Sequence, residues 1–203
     1  ELDGLPSLTD AQAESLSKIE SLSLNGLTSI TDKQAVSMSK VKRGLKLDGL
    51  TSITNEQAEG LSKVKSNLSL NGLTSITDKQ AESLAKVKGY LELNGLTSIN
   101  DEQAESLSNN QYVQLTGLTS ITDAQAESLG KIYKLWLNGL TSLNDEQAKG
   151  LANLTEILQL NGLTSLTDVQ VEILSNYRAK RVLGLDGLTS ITDKQAESLS
   201  KVT

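Results

Sequence analysis

A glycine recurs along this chain at nearly constant intervals and marks a tandem repeat. The intervals between successive copies are 22, 23, 23, 23, 22, 22, 23 and 25 residues. The recurring glycines are Gly4, Gly26, Gly49, Gly72, Gly95, Gly117, Gly139, Gly162 and Gly187. Around each one stands a version of L-x-L-[N/D]-G-L-T-S-I-T-D-x-Q-A-E-x-L-x-x-V. Units this short cannot bury a core of their own, so consecutive units must stack and share one.

The second half of each unit predicts a short helix. Thr31 and Gln34 have the spacing of a capping box, and an acidic residue usually stands in the first turn, where the helix dipole favours it. On the outer face of several helices, a glutamate is followed four residues later by a lysine, the spacing of a stabilising ion pair. Examples are Glu59/Lys63 and Glu82/Lys86. All variation in repeat length falls after the helix, which predicts an exposed turn there.

The first half of each unit predicts a strand. Leu91-Glu92-Leu93 alternates with the period of two that a half-buried strand requires. The Asn-Gly and Asp-Gly steps leave a β-hairpin open as an alternative. We favour one strand and one helix per unit, because the helix cap begins where a second hairpin strand would run. The serines at the Thr-Ser step, such as Ser29, are then expected to form an internal ladder for loop backbone groups.

Leucine-rich repeats resemble this pattern over the whole chain, through the run L-x-L-x-x-L-x-x-I-T-D-x-x-A-x-x-L. The subtype that is most similar is the cysteine-containing one of F-box proteins, and the L-x-L-[N/D]-G-L-T-S units are similar to those of bacterial leucine-rich-repeat proteins. Leu27, Leu50 and Leu73 stand where that subtype has cysteine. The resemblance implies an α/β leucine-rich-repeat solenoid of about nine repeats, with parallel strands on the concave side and short helices on the convex side. It also implies a role in binding proteins.

Stacking geometry independently predicts the same curvature. Neighbouring strands lie about 4.8 Å apart, whereas helices with their side chains are about 10 Å wide. We therefore expect a single solenoid domain over residues 1–203. The chain begins within the predicted strand at Leu2 and stops within the helix at Val202, without polar capping repeats. We expect a fragment of a longer array whose apolar ends associate end to end.

Composition argues against several functional classes. With no Cys and no His, the chain has no disulfide and few metal ligands. The net charge of −6, with both signs mixed along the chain, argues against nucleic-acid binding. No apolar run is long enough to cross a membrane. The acidic residues recur in every layer, as scaffolding does, so we expect neither an enzyme nor a cofactor. Cysteine content does not decide the compartment, and we favour a secreted or cell-surface location over the cytoplasm.

In a repeat protein, specific function is expected where the units differ at exposed positions. Two such positions flank the first leucine of each strand. Along the array, small polar residues fill them first, and aromatic residues follow in consecutive units. Exposed Tyr and Trp among polar residues are typical of binding hot spots, although drift between duplicated units is the alternative. The predicted binding residues are Tyr90, Glu92, Tyr112, Gln114, Lys134, Trp136, Ile157 and Gln159.

The leading hypothesis is a non-catalytic scaffold that binds a protein or peptide on its concave face. A structural spacer or self-associating segment is the main alternative, and ice binding through the threonine column of Thr28, Thr51 and Thr74 is a further one. A second irregularity combines Val169 and Ile173 with the basic turn at 177–181. We interpret it as a repacked corner, with a basic contact for an acidic partner as the alternative.

Overall fold

The computed structural model describes residues 1–154, 156–176 and 182–202. Nine short helices and eight strands alternate within these residues. The helices are α1 (Asp10–Leu16), α2 (Asp32–Met38), α3 (Asn55–Leu61), α4 (Asp78–Leu84), α5 (Asp101–Leu107), α6 (Asp123–Leu129), α7 (Asp145–Leu151), α8 (Asp168–Ser175) and α9 (Asp193–Leu199). The strands are β1 (Ser21–Ser23), β2 (Gly44–Lys46), β3 (Asn67–Ser69), β4 (Leu91–Glu92), β5 (Tyr112–Gln114), β6 (Lys134–Trp136), β7 (Ile157–Gln159) and β8 (Val182–Gly184).

The strands form one parallel sheet in chain order, from β1 to β8. The register aligns equivalent residues of successive units, so that Leu22 pairs with Leu45 and Leu45 with Leu68. The parallel pairing excludes the hairpin alternative. A type I′ turn also needs positive φ at its central residues, and no residue in the described part of the chain has one. Each unit is therefore one strand and one helix, as the sequence predicts.

Every helix in the described ranges begins with the predicted capping box. In α2, the backbone N–H of Gln34 donates to Thr31 Oγ1 at 3.1 Å, and the backbone N–H of Thr31 donates to Gln34 Oε1 at 3.0 Å. Asn100 takes the same role ahead of α5. A helix of seven residues is marginal alone. The caps and the packing between units hold these helices in place.

The core is one continuous column of aliphatic side chains between the strands and the helices. One layer contributes both leucines of L-x-L, the leucine after glycine and the isoleucine that precedes the helix. From the helix itself it contributes the alanine and the last apolar residue. These residues are Leu22, Leu24, Leu27, Ile30, Ala35 and Met38, all buried. The match with the predicted column explains why a chain without Phe and with one Trp can fold. Identical layers leave no irregular space that aromatic residues must fill.

The recurring glycine is required by close approach between layers. A methyl group on Gly72 would lie 2.1 Å from the carbonyl oxygen of Asp48 and 2.7 Å from that of Leu50 in the preceding unit. Gly26 and Gly162 meet the same obstacle. Any side chain here would push two layers apart.

The polar ladders between layers are not the ones we expected. The Thr-Ser serines, including Ser29, are exposed, so they form no internal ladder. Glutamine takes that role instead. Gln34 Nε2 donates to the carbonyl of Leu8 at 2.8 Å while its Oε1 completes the helix cap. One glutamine thus satisfies a loop carbonyl of one unit and a helix amide of the next. Serine is too short for both bonds.

A second ladder runs along the turn that contains the glycine. Asn25 Oδ1 accepts from the backbone N–H of Asp48 at 3.0 Å, and Asp48 Oδ1 accepts from the backbone N–H of Asn71 at 2.9 Å. The preference for Asn or Asp before the glycine therefore has a structural cause, because these side chains accept a backbone N–H of the next unit. With parallel strands, capped helices and a leucine core in register, the architecture is a leucine-rich-repeat solenoid of about nine repeats.

Candidate functional site

The predicted binding residues all lie on the face of the sheet that points away from the helices, here called the strand face. The strand register explains this placement. Leu135 points into the core, so its neighbours Lys134 and Trp136 must point outward. All eight predicted residues are half-buried, which is less exposed than the hypothesis assumed. The reason is that they cover one another.

Three aromatic rings from consecutive units meet on this face. Tyr90 and Tyr112 are stacked, with their ring centroids 5.0 Å apart and an interplanar angle of 29°. Trp136 lies 5.6 Å from Tyr90, tilted by 56°. These distances are within the range of favourable aromatic pairs. The structure therefore brings together the residues that the sequence singled out.

A fourth ring, Tyr133, extends the group to the turn that precedes β6. It meets Tyr112 edge to face, with the centroids 6.0 Å apart, and 39% of its surface is exposed. Sequence analysis missed Tyr133 because it lies outside the two strand-flanking positions. Its place directly before Lys134 was the available signal. We call Tyr90, Tyr112, Tyr133 and Trp136 the aromatic cluster.

Lys134 connects the aromatic cluster to an acidic side chain. Its Nζ lies 5.8 Å from the ring centroid of Tyr112 and 6.0 Å from that of Tyr133, at the distance of a cation–π contact. The same Nζ is 3.2 Å from Glu156 Oε1. Lys134 therefore brings no unpaired positive charge to the aromatic cluster.

A buried asparagine holds the turn beneath the cluster. Asn110 stands where the units before and after have Val87 and Ile132 in the core. Its Nδ2 donates to the Val87 carbonyl at 2.7 Å, and its Oδ1 accepts from the Tyr112 amide at 2.7 Å. Tyr90 is held in a similar way, since its amide donates to Asn67 Oδ1 at 3.1 Å. Two asparagine side chains thus fix the backbone of the stacked tyrosines, one from two residues earlier in the chain and one from β3.

Polar side chains surround the rings along the strand face. Glu92 Oε2 accepts from Ser69 Oγ at 3.3 Å, and Gln114 Oε1 lies 3.5 Å from Asn94 Nδ2. Gln159 pairs in register with Trp136 on the next strand. Ile157, beside Lys134, adds a half-buried apolar edge. Donors and acceptors therefore border the apolar rings.

Towards β1, the strand face continues as a shallow depression of about 380 Å³. Its floor consists of small side chains, and Lys46 and Glu92 border it. The small residues are Ser21, Ser23, Gly44 and Ser69. The strand face therefore has two parts, a depression over β1–β3 and a raised aromatic cluster over β4–β6.

The second sequence irregularity is only partly visible. Val169 is 48% exposed, and Ile173 packs partly against the core. The basic turn at 177–181 lies outside the described residues. The threonines of the alternative ice-binding hypothesis, Thr28, Thr51 and Thr74, are exposed.

The described residues hold neither a cluster of metal ligands nor a helix that could span a membrane. Across residues 1–154, 156–176 and 182–202, no three His, Cys, Asp or Glu side chains are grouped as a metal site would need. None of the helices there has the length and hydropathy needed to cross a bilayer.

No protein-family model matches the chain, and no curated protein does either. Among solved structures, the chain is similar to a chain of the Toll–Spatzle complex from Drosophila, with 16% sequence identity and a TM-score of 0.47. The match covers 91% of this chain and 34% of that one, so this chain spans about a third of its length. A likeness this distant carries no argument. The parallel sheet, the capping boxes and the leucine column are what identify the fold as a leucine-rich-repeat solenoid.

Proposed function

We propose that this chain is a non-catalytic scaffold that binds a protein or peptide on its strand face, over β4–β7. The observation that carries the proposal is the aromatic cluster, three contacting rings on the strand face and a fourth at the turn before β6. Tyr and Trp are enriched among the few residues that dominate binding energy at interfaces. Because strands are spaced more closely than helices, we expect this face to be the concave side of the solenoid.

The physical properties of the cluster suit a binding anchor. Rings that already contact one another lose little conformational freedom when a ligand covers them, so little of the binding energy is lost to ordering. Lys134 is paired with Glu156 and does not bring an unpaired charge into the interface. Glu92, Gln114 and Gln159 can bind the polar groups of a ligand around the rings.

An extended peptide fits this surface better than a small molecule does. The depression over β1–β3 and the raised cluster are open and continuous, with Glu92 on the boundary between them. A small ligand usually needs an enclosed site. A peptide that crosses the strands can place a bulky apolar residue against the rings and smaller residues over the serines.

The test uses the one tryptophan of the chain, Trp136, as a reporter of the site. Peptides would be selected from a random display library against the 203-residue chain, and their binding followed by tryptophan emission and by calorimetry. We expect selected peptides to shift the emission of Trp136. The double variant Tyr90→Ser/Trp136→Ser should bind them at least about 30-fold more weakly, as removal of a hot spot does.

Val169→Ser is the matched control, because Val169 is an exposed apolar residue far from the strand face. It should change affinity by less than about twofold, as neutral surface positions do. Selected peptides that bind the wild type and the double variant equally well would show that the rings are not the site.

A structural spacer that self-associates is the second candidate. Exposed apolar side chains at both ends of the array favour it, namely Leu2, Ile19, Val182 and Ile191. Association that survives loss of the aromatic cluster would support this candidate over the scaffold.

A further inference from the structure

Three consecutive turns, those that follow α2, α3 and α4, carry an unusual concentration of positive charge in a chain with net charge −6. Each turn has a lysine two residues after its helix and a second lysine two residues later. We call this surface the basic edge. Its cations are Lys40, Lys42, Arg43, Lys63, Lys65, Lys86 and Lys88.

The fold stacks these turns directly on one another. The Lys88 amide donates to the carbonyl of Val64 at 3.3 Å, so the third turn is bonded to the second. Likewise the Arg43 amide donates to the carbonyl of Glu20 at 2.7 Å, which joins the first of these turns to the one before. Lysines at equivalent positions of successive units are therefore neighbours along the edge.

Most of these cations have no partner in the part of the chain that the structure describes. Lys86 lies 3.2 Å from Glu82, and Arg43 lies 3.3 Å from Glu20. Among the described residues, no carboxylate oxygen comes within 4.0 Å of the other five, Lys40, Lys42, Lys63, Lys65 and Lys88. Like charges held side by side repel one another, and an anionic partner would relieve that repulsion.

A substitution in α2 adds an apolar feature to the same surface. Val36 occupies the position of Glu14, Glu59 and Glu82 in other units. It therefore removes the carboxylate that could pair with Lys40 one turn later, and it leaves an apolar side chain 39% exposed. Val36 and Val41 border a groove of about 520 Å³, which is also lined by Ser39, Lys40, Lys42, Lys63 and Lys65.

We propose that the basic edge binds an acidic segment of a partner protein, with an apolar side chain of that segment in the groove beside Val36. Charge complementarity selects an anionic ligand, and the apolar floor selects a peptide over a bare phosphate chain. Each of the five cations without a partner among the described residues is a lysine, a point charge that can pair with a carboxylate of such a segment. No aromatic side chain borders the groove for stacking of bases.

Arg43 lines both the basic edge and the strand-face depression. The proposal does not depend on the strand-face site, because the variants that test it leave Arg43 and the aromatic cluster unchanged. The probe is a short fluorescent peptide of glutamates around one central leucine. Its binding to the full 203-residue chain would be followed by anisotropy at low salt. The edge variant is Lys42→Glu/Lys65→Glu/Lys88→Glu. The control is Lys33→Glu/Lys79→Glu/Lys194→Glu, which makes the same charge change at the opposite ends of α2, α4 and α9. All six lysines are exposed, so both variants should fold.

We expect the edge variant to bind the probe at least about tenfold more weakly and the control less than about threefold. The reason is that Coulomb attraction falls with distance, and the control lysines lie at the far ends of their helices from the turns of the basic edge. Replacing the central leucine by serine, or making Val36→Ser in the protein, should also weaken binding. Equal losses in the two triple variants would overturn the proposal, since general charge would then explain the binding. It would also be overturned if inorganic polyphosphate or phosphatidylserine vesicles displaced the probe and bound independently of Val36.

Discussion

Tyr90 and Trp136 belong to units that are two strands apart, and yet their ring centroids are only 5.6 Å apart. Adjacent strands are spaced by about 4.8 Å. Side chains perpendicular to the sheet at these positions would therefore be about two strand spacings apart, farther than the rings are. The two rings lean towards each other across β5. This converts three separate aromatic residues into one surface, with Tyr112 stacked on Tyr90.

Because the aromatic cluster lies outside the core, its removal should cost little stability. Trp136→Ser should lower the free energy of unfolding by about 1 kcal/mol, the size of lost aromatic contacts. The neighbouring Leu135 is fully buried, and Leu135→Ala should cost about 2–5 kcal/mol. Urea unfolding followed by circular dichroism measures both. A loss for Trp136→Ser as large as that for Leu135→Ala would identify the ring as a packing residue.

Asn110 should stabilise the chain through its hydrogen bonds and not through its shape. Asn110→Val restores the apolar residue of neighbouring units but leaves the Tyr112 amide and the Val87 carbonyl without their partner. We expect a loss of about 1–3 kcal/mol, the cost of unsatisfied buried polar groups. The exposed neighbour Asn109 is the control, and Asn109→Ala should cost less than about 0.5 kcal/mol. A stabilised Asn110→Val variant would contradict this view.

Glycine should be essential only where two layers touch. In Gly72→Ala, the added methyl would meet the Asp48 carbonyl oxygen at 2.1 Å, whereas nothing lies within 4 Å of a methyl added to Gly44. Gly72→Ala should therefore lose about 3 kcal/mol or more through overpacking. Gly44→Ala should change stability by less than about 1 kcal/mol. Melting curves of the two variants would test this, and similar melting temperatures would argue against the close-approach explanation.

The Asp3 carboxyl should titrate below its ordinary range. Its Oδ1 accepts from Ser23 Oγ at 2.6 Å and from the Asn25 amide at 2.9 Å, and these bonds to the ionised form lower its pKa. Carboxyl chemical shifts from an NMR titration should show this. In Ser23→Ala the pKa should rise towards the ordinary value, while Ser21→Ala should leave it unchanged.

The lowered pKa of Asp3 should also make the stability of the fold depend on pH. Because the pKa is lower in the folded state than in the unfolded chain, the contribution of Asp3 is complete above the unfolded value. It is lost as the pH falls through the folded pKa. An acid-unfolding curve that is identical in wild type and Ser23→Ala would contradict this assignment.

The 203-residue chain should associate through its ends. Leu2 and Ile19 are 39% and 41% exposed at one end, and Val182 and Ile191 are 55% and 51% exposed at the other. Apolar surfaces of this kind favour contact with a second copy. Light scattering should give a mass that rises with concentration. Ile19→Lys/Ile191→Lys should reduce that rise and Val169→Lys should not. A constant monomer mass up to about millimolar concentration would show that the ends do not associate.

Much of this architecture could be predicted from the sequence because the same strand pattern, glycine and helix cap recur in successive units. The capping pair Thr31 and Gln34 is a local signal, and the alternation of L-x-L is another. Local rules of this kind depend on residues close together in the chain, and both predictions are confirmed. The aromatic residues at positions 90, 112 and 136 could be aligned for the same reason, since a regular period places equivalent positions side by side.

The contacts between units could not be predicted in the same way. Gln34 was recognisable as a capping residue, but its bond to the carbonyl of Leu8 depends on how far apart two layers lie. The exposure of Ser29 follows from the same packing, and so does the place of Tyr133 in the cluster. These features depend on distances across the stack, which no spacing along one unit encodes. The repeat therefore specifies what each layer contains, and packing between layers determines which polar groups bond and which rings meet.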